Sequence, residues 1–139
     1  MASHIAQERT ETITHEGQVI CLLVRGAPVP KSTAFYTPNE FTLQVGHIAY
    51  GKGHTIQRHN HPRISKQLDR VSEVLVIEEG RVRIDLYSDD RQLVATRELG
   101  PGDVAVLVSG GHGFHMLEDT VMVEIKQGPY SGKPEKEQF

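Results

Sequence analysis

Two histidines separated by one residue are the clearest candidates for chemistry in this sequence. His59 and His61 close the polar segment 53–61. Side chains at positions i and i+2 of a β-strand point to the same face, so both imidazoles can project toward one point. Imidazole is the commonest metal ligand in proteins, so the pair predicts a metal site.

A carboxylate and a third imidazole can complete such a site. Glu73 can supply the carboxylate from a neighbouring strand, and residues 109–115 carry His112 and His115 among glycines that let the chain turn inward. Three imidazoles and one carboxylate accept one divalent ion of Fe, Mn, Ni, Co or Zn, and the sequence does not choose among these metals. The simpler interpretation of His59 and His61, taken alone, is two partly exposed strand histidines without a metal.

Short β-strands must position these side chains, because no long segment has the apolar spacing of an amphipathic helix. Apolar and charged residues alternate most clearly in residues 81–86, and turn residues separate the apolar runs. Open strand edges invite aggregation, so the pattern predicts an all-β domain folded as a barrel or jelly roll. The predicted strands are 18–24, 41–49, 55–59, 73–78, 81–87, 92–99, 103–108, 112–117 and 121–126.

The residues of the predicted metal site resemble the cupin superfamily in their order. The first motif of that family has a glycine, a His-x-His pair, a glutamate and a second glycine, and it is matched by Gly53, His59, His61, Glu73 and Gly80. The eleven residues between His61 and Glu73 exceed the usual spacing of the family. A second motif begins at Gly102-Asp103 and is one residue short before His112.

The resemblance implies a single-domain cupin, a double-stranded β-helix or jelly-roll barrel that binds metal through His59, His61, Glu73 and His112, with His115 as the reserve ligand. It covers about residues 40–130 of the chain. Residues 123–130 are also similar to the ending of small cupin-fold metalloproteins from bacterial O-antigen and sugar biosynthesis gene clusters. The family also implies a homodimer, and the apolar strand at 19–24 could pair across subunits.

Length and composition fit one soluble domain. The chain has 139 residues, of which 37% are hydrophobic and 24% charged, and its net charge of -3 gives no reason to expect a nucleic-acid partner. We expect a polar N-terminal segment at 1–16, the barrel at 17–130 and a charged tail at 131–139, and we expect either end to fray or to dock on a second subunit. No apolar stretch predicts a membrane span or secretion signal, and the lone Cys21 fits a buried strand, so a cytoplasmic protein is expected.

Three functions remain open at this point. The first is a metal-dependent oxygenase or isomerase that acts on a small polar molecule, with no catalytic residue assigned. The second is a non-catalytic cupin that binds a sugar or another metabolite. The third is a metal-free sugar-nucleotide isomerase in which His59 and His61 act as general acid and base. Arg63 and Lys66, close to His61, are candidates for contacting an anionic substrate.

Overall fold

The apolar runs form antiparallel strands in the computed structural model, which describes residues 8–139. The all-β class predicted from the sequence is therefore confirmed for this part of the chain. No helix within it is long and apolar enough to cross a membrane. The strands are β1 (Thr10–His15), β2 (Gln18–Val24), β3 (Ala34–Phe35), β4 (Gly46–His47), β5 (Glu73–Glu79), β6 (Val82–Tyr87), β7 (Leu93–Leu99), β8 (Val104–Leu107), β9 (Gly111–Met116) and β10 (Val121–Lys126).

Two larger sheets and one hairpin contain these strands. The five-stranded sheet has the order β1-β2-β8-β5-β10, the three-stranded sheet has the order β7-β6-β9, and β3 pairs with β4. Within residues 8–139, β10 and β9 each have a partner on one side only, so both are edge strands. The sheets do not close into a barrel over this part of the chain.

The main core lies between the two larger sheets. Leu75 and Ile77 of β5 are buried against Ile84 and Leu86 of β6, and Phe114 of β9 packs on the same cluster. The other members are Val82 of β6 and residues of β1, β2, β7, β8 and β10. Successive strand residues point to opposite faces, so Leu75 and Ile77 enter this core from the same face of β5.

A second core covers the opposite face of the five-stranded sheet. Val74, Val104 and Val106 alternate with the residues of the main core and pack against Tyr36 and the apolar residues of segment 41–45. Because the central strands are buried on both faces, they read as continuous apolar runs rather than as alternating sequences. This accounts for the runs at residues 19–24 and 104–108.

Most of the predicted strands are present. Those at 18–24 and 121–126 have the observed bounds, and those at 73–78, 81–87, 92–99, 103–108 and 112–117 differ by no more than one residue at either end. These segments combine alternating or continuous apolar residues with turn residues at both ends, which are local signals.

Two predicted strands are wrong. In segment 41–49 only Gly46 and His47 form a strand, because Phe41, Leu43 and Val45 pack onto the second core from an irregular backbone. The side-chain amide of Gln44 supports that backbone by donating to the carbonyl oxygens of Pro38 and Phe41 at 3.0 and 2.8 Å. Segment 55–59 forms no strand and is exposed along its length.

The polar N-terminal segment, predicted to precede the barrel, contributes strand β1 to the five-stranded sheet. Residues 1–7 of that segment lie outside the described residues. Ile13 is buried in the main core, and β1 pairs with β2 through a tight turn at Glu16 and Gly17, whose φ angles are 50° and 78°. Positive φ at both turn positions is typical of the two-residue hairpin, in which glycine is favoured at the second position.

Candidate functional site

Glu73 and His112 meet in the space between the two larger sheets. Glu73 begins β5 on the face that carries Leu75 and Ile77, and His112 shares its face of β9 with Phe114. Nε2 of His112 lies 3.3 Å from Oε2 of Glu73. The fold therefore brings together two of the predicted metal ligands, although they lie on different sheets and are far apart in the sequence.

A glycine turn delivers His112 to this position. Gly110 has a φ of 70°, and a Cβ atom there would overlap the backbone oxygen of Tyr87. Only glycine fits such a left-handed and crowded position without strain. The turn leads directly into β9, where Leu86 lies opposite His112 on the neighbouring strand. The expectation that glycines turn the chain inward before His112 agrees with this geometry.

The environment of His112 favours the neutral imidazole. Burial lowers the pKa of His112, the Glu73 carboxylate opposes that shift, and the ammonium group of Lys136 lowers the pKa further. The net shift is downward, so the ring is unprotonated at neutral pH. A neutral imidazole beside a carboxylate can bind a metal ion, and it can also accept a proton from a substrate.

A groove of about 1050 Å³ opens at these two side chains. Inward-facing residues of β5, β8, β9 and β10 line it, and residues 135–139 form another part of its wall. Its polar groups besides Glu73 and His112 include Glu124 and Lys126 of β10, while Leu75 and Phe114 contribute apolar surface. A small polar molecule can therefore enter the groove and reach the Glu73–His112 pair.

His59 and His61 lie near each other, but they do not line this groove. Their ring centroids are 5.2 Å apart, and Nδ1 of His59 lies 2.9 Å from the backbone oxygen of Gln57. Both side chains are exposed. Among residues 8–139, no group of three or more His, Cys, Asp or Glu side chains is placed to hold a metal ion. The four predicted ligands are thus found as two separate pairs.

His115, the reserve ligand, is exposed on the opposite face of β9. It lies three residues beyond His112, and strand residues an odd number apart point to opposite faces. Its backbone pairs with Arg83 of β6. The face of β9 that contacts Glu73 is therefore the one that carries His112 and not His115.

The segment 48–72, which we term the open segment, contains His59 and His61 and is anchored at its end. Arg70 donates two hydrogen bonds to the carboxylate of Asp89, at 3.0 and 2.9 Å. The backbone N–H of Ser72 donates to Oε1 of Gln127 at 2.9 Å. These contacts fix the chain immediately before Glu73, while Ile56 and Ile64 farther back are 54% and 75% exposed.

The candidate anion contacts Arg63 and Lys66 are exposed in the open segment and are not among the groove residues. Lys126, Arg91 and Lys136 are the cationic residues that line the groove instead. Glu124, which lies on the same face of β10 as Lys126, was not predicted as a site residue. Their alternation with Val123 and Ile125 is a visible signal, but it does not say which face of β10 is turned inward.

No protein-family model, no curated protein and no solved structure matches this chain. A functional assignment must therefore be argued from its own fold and side chains. These are antiparallel sheets facing each other and a neutral histidine beside a carboxylate at a groove. A pair of histidines, His59 and His61, lies on the exposed segment before β5.

Proposed function

We propose that the chain is a cupin-type metalloprotein that binds one divalent metal ion and a small polar ligand in the groove. The observation that carries the proposal is the 3.3 Å approach of His112 to Glu73 between the two sheets. The proposed ligands are Glu73 and His112 together with His59 and His61. Imidazole and carboxylate donors suit Fe, Mn, Ni, Co and Zn in the divalent state.

The free edge of β9 supports the participation of His59 and His61. That edge borders the groove, and its backbone groups can accept another strand. If residues 54–61 paired with β9, the two-residue spacing would place both imidazoles on one face of the added strand. In the jelly-roll arrangement that we propose, this face is turned toward Glu73 and His112, and the strand extends the three-stranded sheet to four.

The proposed chemistry is that of a metal-dependent oxygenase or isomerase. A bound metal ion would act as a Lewis acid and would orient the ligand. The residues of the chain have separate roles: His112 is neutral and can also accept a proton, Lys126 offers a cation to an anionic group, and Phe114 excludes water from one wall. Oxygen consumption in the presence of substrate separates oxygenation from isomerisation.

Metal analysis of variants tests the proposal. Protein purified without an affinity tag is measured for Fe, Mn, Ni, Co and Zn, together with His59→Ala, His61→Ala, Glu73→Ala and His112→Ala. His115→Ala is the matched control, because it removes an imidazole from the outer face of the same strand. We expect near-stoichiometric metal in the natural protein and the control, and loss in the four variants.

The opposite results have different meanings. If neither the purified protein nor the reconstituted protein holds any of these metals, the metal site is rejected. If His59→Ala and His61→Ala retain metal that Glu73→Ala and His112→Ala lose, only the pair between the sheets is part of the site. Binding of a sugar or another metabolite without turnover would replace the enzyme by a non-catalytic binding protein.

A metal-free isomerase is the second candidate. For this function the Glu73–His112 contact favours Glu73 and His112 as the general acid and base, in place of His59 and His61. General acid and base catalysis needs groups that are held at the substrate, and His59 and His61 are exposed away from the groove. His112 and Glu73 line it. Activity that survives complete metal removal and disappears in His112→Ala would support this candidate.

A further inference from the structure

The last residues of the chain return to the groove. β10 ends at Lys126 on the five-stranded sheet, whereas Phe139 contacts Tyr87 and Gly111, which belong to the three-stranded sheet. Residues 135–139 line the groove together with Glu73 and His112. The C-terminal segment, residues 131–139, therefore covers part of the opening between the two sheets.

A small set of side chains anchors this segment. The Phe139 ring meets the Tyr87 ring edge to face, with 5.2 Å between the centroids, and the guanidinium carbon of Arg91 lies 5.1 Å from the centroid of the Phe139 ring. Nη2 of Arg91 is also 3.6 Å from Oε2 of Glu137. Gly111 leaves the space that the ring occupies, because a Cβ atom there would lie 2.8 Å from Cζ of Phe139, on the face of β9 opposite to His112.

These contacts are few, and the segment remains exposed. Phe139 keeps 62% of its surface accessible, and Glu137 is 89% exposed. An aromatic pair and a cation over a ring each contribute modestly at such sites, so the docked position is favoured by roughly tenfold. Docking of that strength is reversible, and a ligand that needs the open groove binds in competition with it.

We infer that the C-terminal segment is a displaceable cover of the groove and that Phe139, seated over Gly111, is its anchor. With the segment docked, 32% of the His112 side chain and 13% of the Glu73 side chain stay accessible, so the cover narrows the entrance to the groove without closing it. With the segment released, the groove opens to ligands. The cover itself requires no metal, and the inference rests on the proposed function only for what then enters the groove.

Accessibility of His112 in metal-free protein tests the cover. Diethyl pyrocarbonate modifies imidazole nitrogens, and mass spectrometry of the digested protein gives the rate at His112 separately from exposed His59. Gly111→Ala introduces a methyl group where the Phe139 ring sits, and Phe139→Ala removes the ring. Gly113→Ala is the matched control, since it lies on the same face of β9 and its added Cβ would meet nothing within 4 Å.

We expect His112 to react up to about threefold faster in Gly111→Ala and in Phe139→Ala than in the natural protein or in Gly113→Ala, because 32% of its side chain is already accessible with the segment docked. The rate at His59 should be the same in all four proteins. Equal rates at His112 in all four proteins would overturn the cover. If Gly111→Ala does not fold, Phe139→Ala alone tests the cover. This variant should fold, because the side chain that it removes is largely exposed.

A titration with Zn(II) or Ni(II) keeps the two proposals apart. Faster modification together with about tenfold tighter metal binding in the two anchor variants supports both the cover and the metal site. Faster modification in a chain that binds neither metal supports the cover and rejects the metal site. Metal binding with unchanged modification rates rejects the cover alone.

Discussion

The imidazole of His112 on the three-stranded sheet lies 3.3 Å from the carboxylate of Glu73 on the five-stranded sheet. The contact joins two strands that are not hydrogen-bonded neighbours, β9 and β5. Burial lowers the pKa of His112 more than the carboxylate raises it. The side chain is thus held close to an anion without being converted to imidazolium at neutral pH.

Removing this carboxylate should lower the pKa of His112 further. In Glu73→Gln the charge that favours imidazolium is lost, whereas in Lys136→Gln a charge that disfavours it is lost, so that variant should raise the pKa. The measurement is an NMR titration of the His112 ring in metal-free protein. Glu79→Gln, at the other end of β5, is the control and should leave the titration unchanged. Identical titrations in all variants would contradict the contact.

The protein should lose stability as the pH falls below about 6.5, partly because of His47. Burial lowers the pKa of His47, nearby Arg9 lowers it further, and the Tyr36 hydroxyl lies 2.7 Å from its Nδ1 atom. The folded state therefore takes up a proton at lower pH than the unfolded state. Stability is complete above the unfolded pKa and is lost as the pH falls toward the folded value.

Replacement of His47 isolates its share of this effect. His47→Gln should lose less unfolding free energy than the natural protein between about pH 7.5 and pH 5.5, as measured by urea unfolding. His54→Gln, in which the lost ring is exposed and stacks on Tyr50, is the matched control and should follow the natural protein. If His47→Gln and the natural protein show the same pH dependence, the role of His47 is refuted.

Leu86 in the main core should be among the most costly positions to truncate. Its side chain is fully buried in β6 between the two sheets, so Leu86→Ala loses apolar contact and leaves a cavity. We expect a destabilisation of about 2–5 kcal/mol in urea unfolding. Leu93→Ala at the start of β7, where the leucine is 60% exposed, should change stability by less than about 1 kcal/mol.

The Asp103 carboxylate should stabilise the turn between β7 and β8. It accepts hydrogen bonds from the backbone N–H groups of Gly26 and Gly100 at 2.9 Å, and Nη1 of Arg25 lies 3.2 Å away. Asp103→Ala leaves these donors without their acceptor, so we expect a loss of about 1–3 kcal/mol in urea unfolding. The exposed Asp119→Ala is the control, and an equal loss there would argue against this role.

The strands were predictable where local signals agree. In β6 the alternation of Val82, Ile84 and Leu86 with charged residues assigns both the strand and its buried face. In β1 the single buried residue Ile13 lies among polar neighbours, so hydrophobic pattern gives little signal. Such a strand forms because its backbone pairs with β2, and this pairing is seen only in the folded chain.

The candidate site was predictable in its residue types and only partly in its arrangement. The sequence singled out Glu73 and His112, and the structure places them in contact. Assembly with His59 and His61 stays a prediction, because it depends on whether the open segment pairs with β9. Pairing between distant parts of a chain is decided by the balance between backbone hydrogen bonds and loop entropy, which no local pattern encodes.

Composition, strand alternation and glycine turns in the sequence by themselves determined the all-β class and most strand bounds, because these signals act between near neighbours. Only the tertiary structure decided which face of β10 is turned inward, so that Glu124 and Lys126 line the groove while Val123 and Ile125 are exposed. It also decided that Phe139 returns to Gly111. The physical reason is that the inward face of an edge strand and the position of the C-terminal segment depend on contacts between residues far apart in sequence. Each of these contacts is weak, and none leaves a local pattern in the sequence.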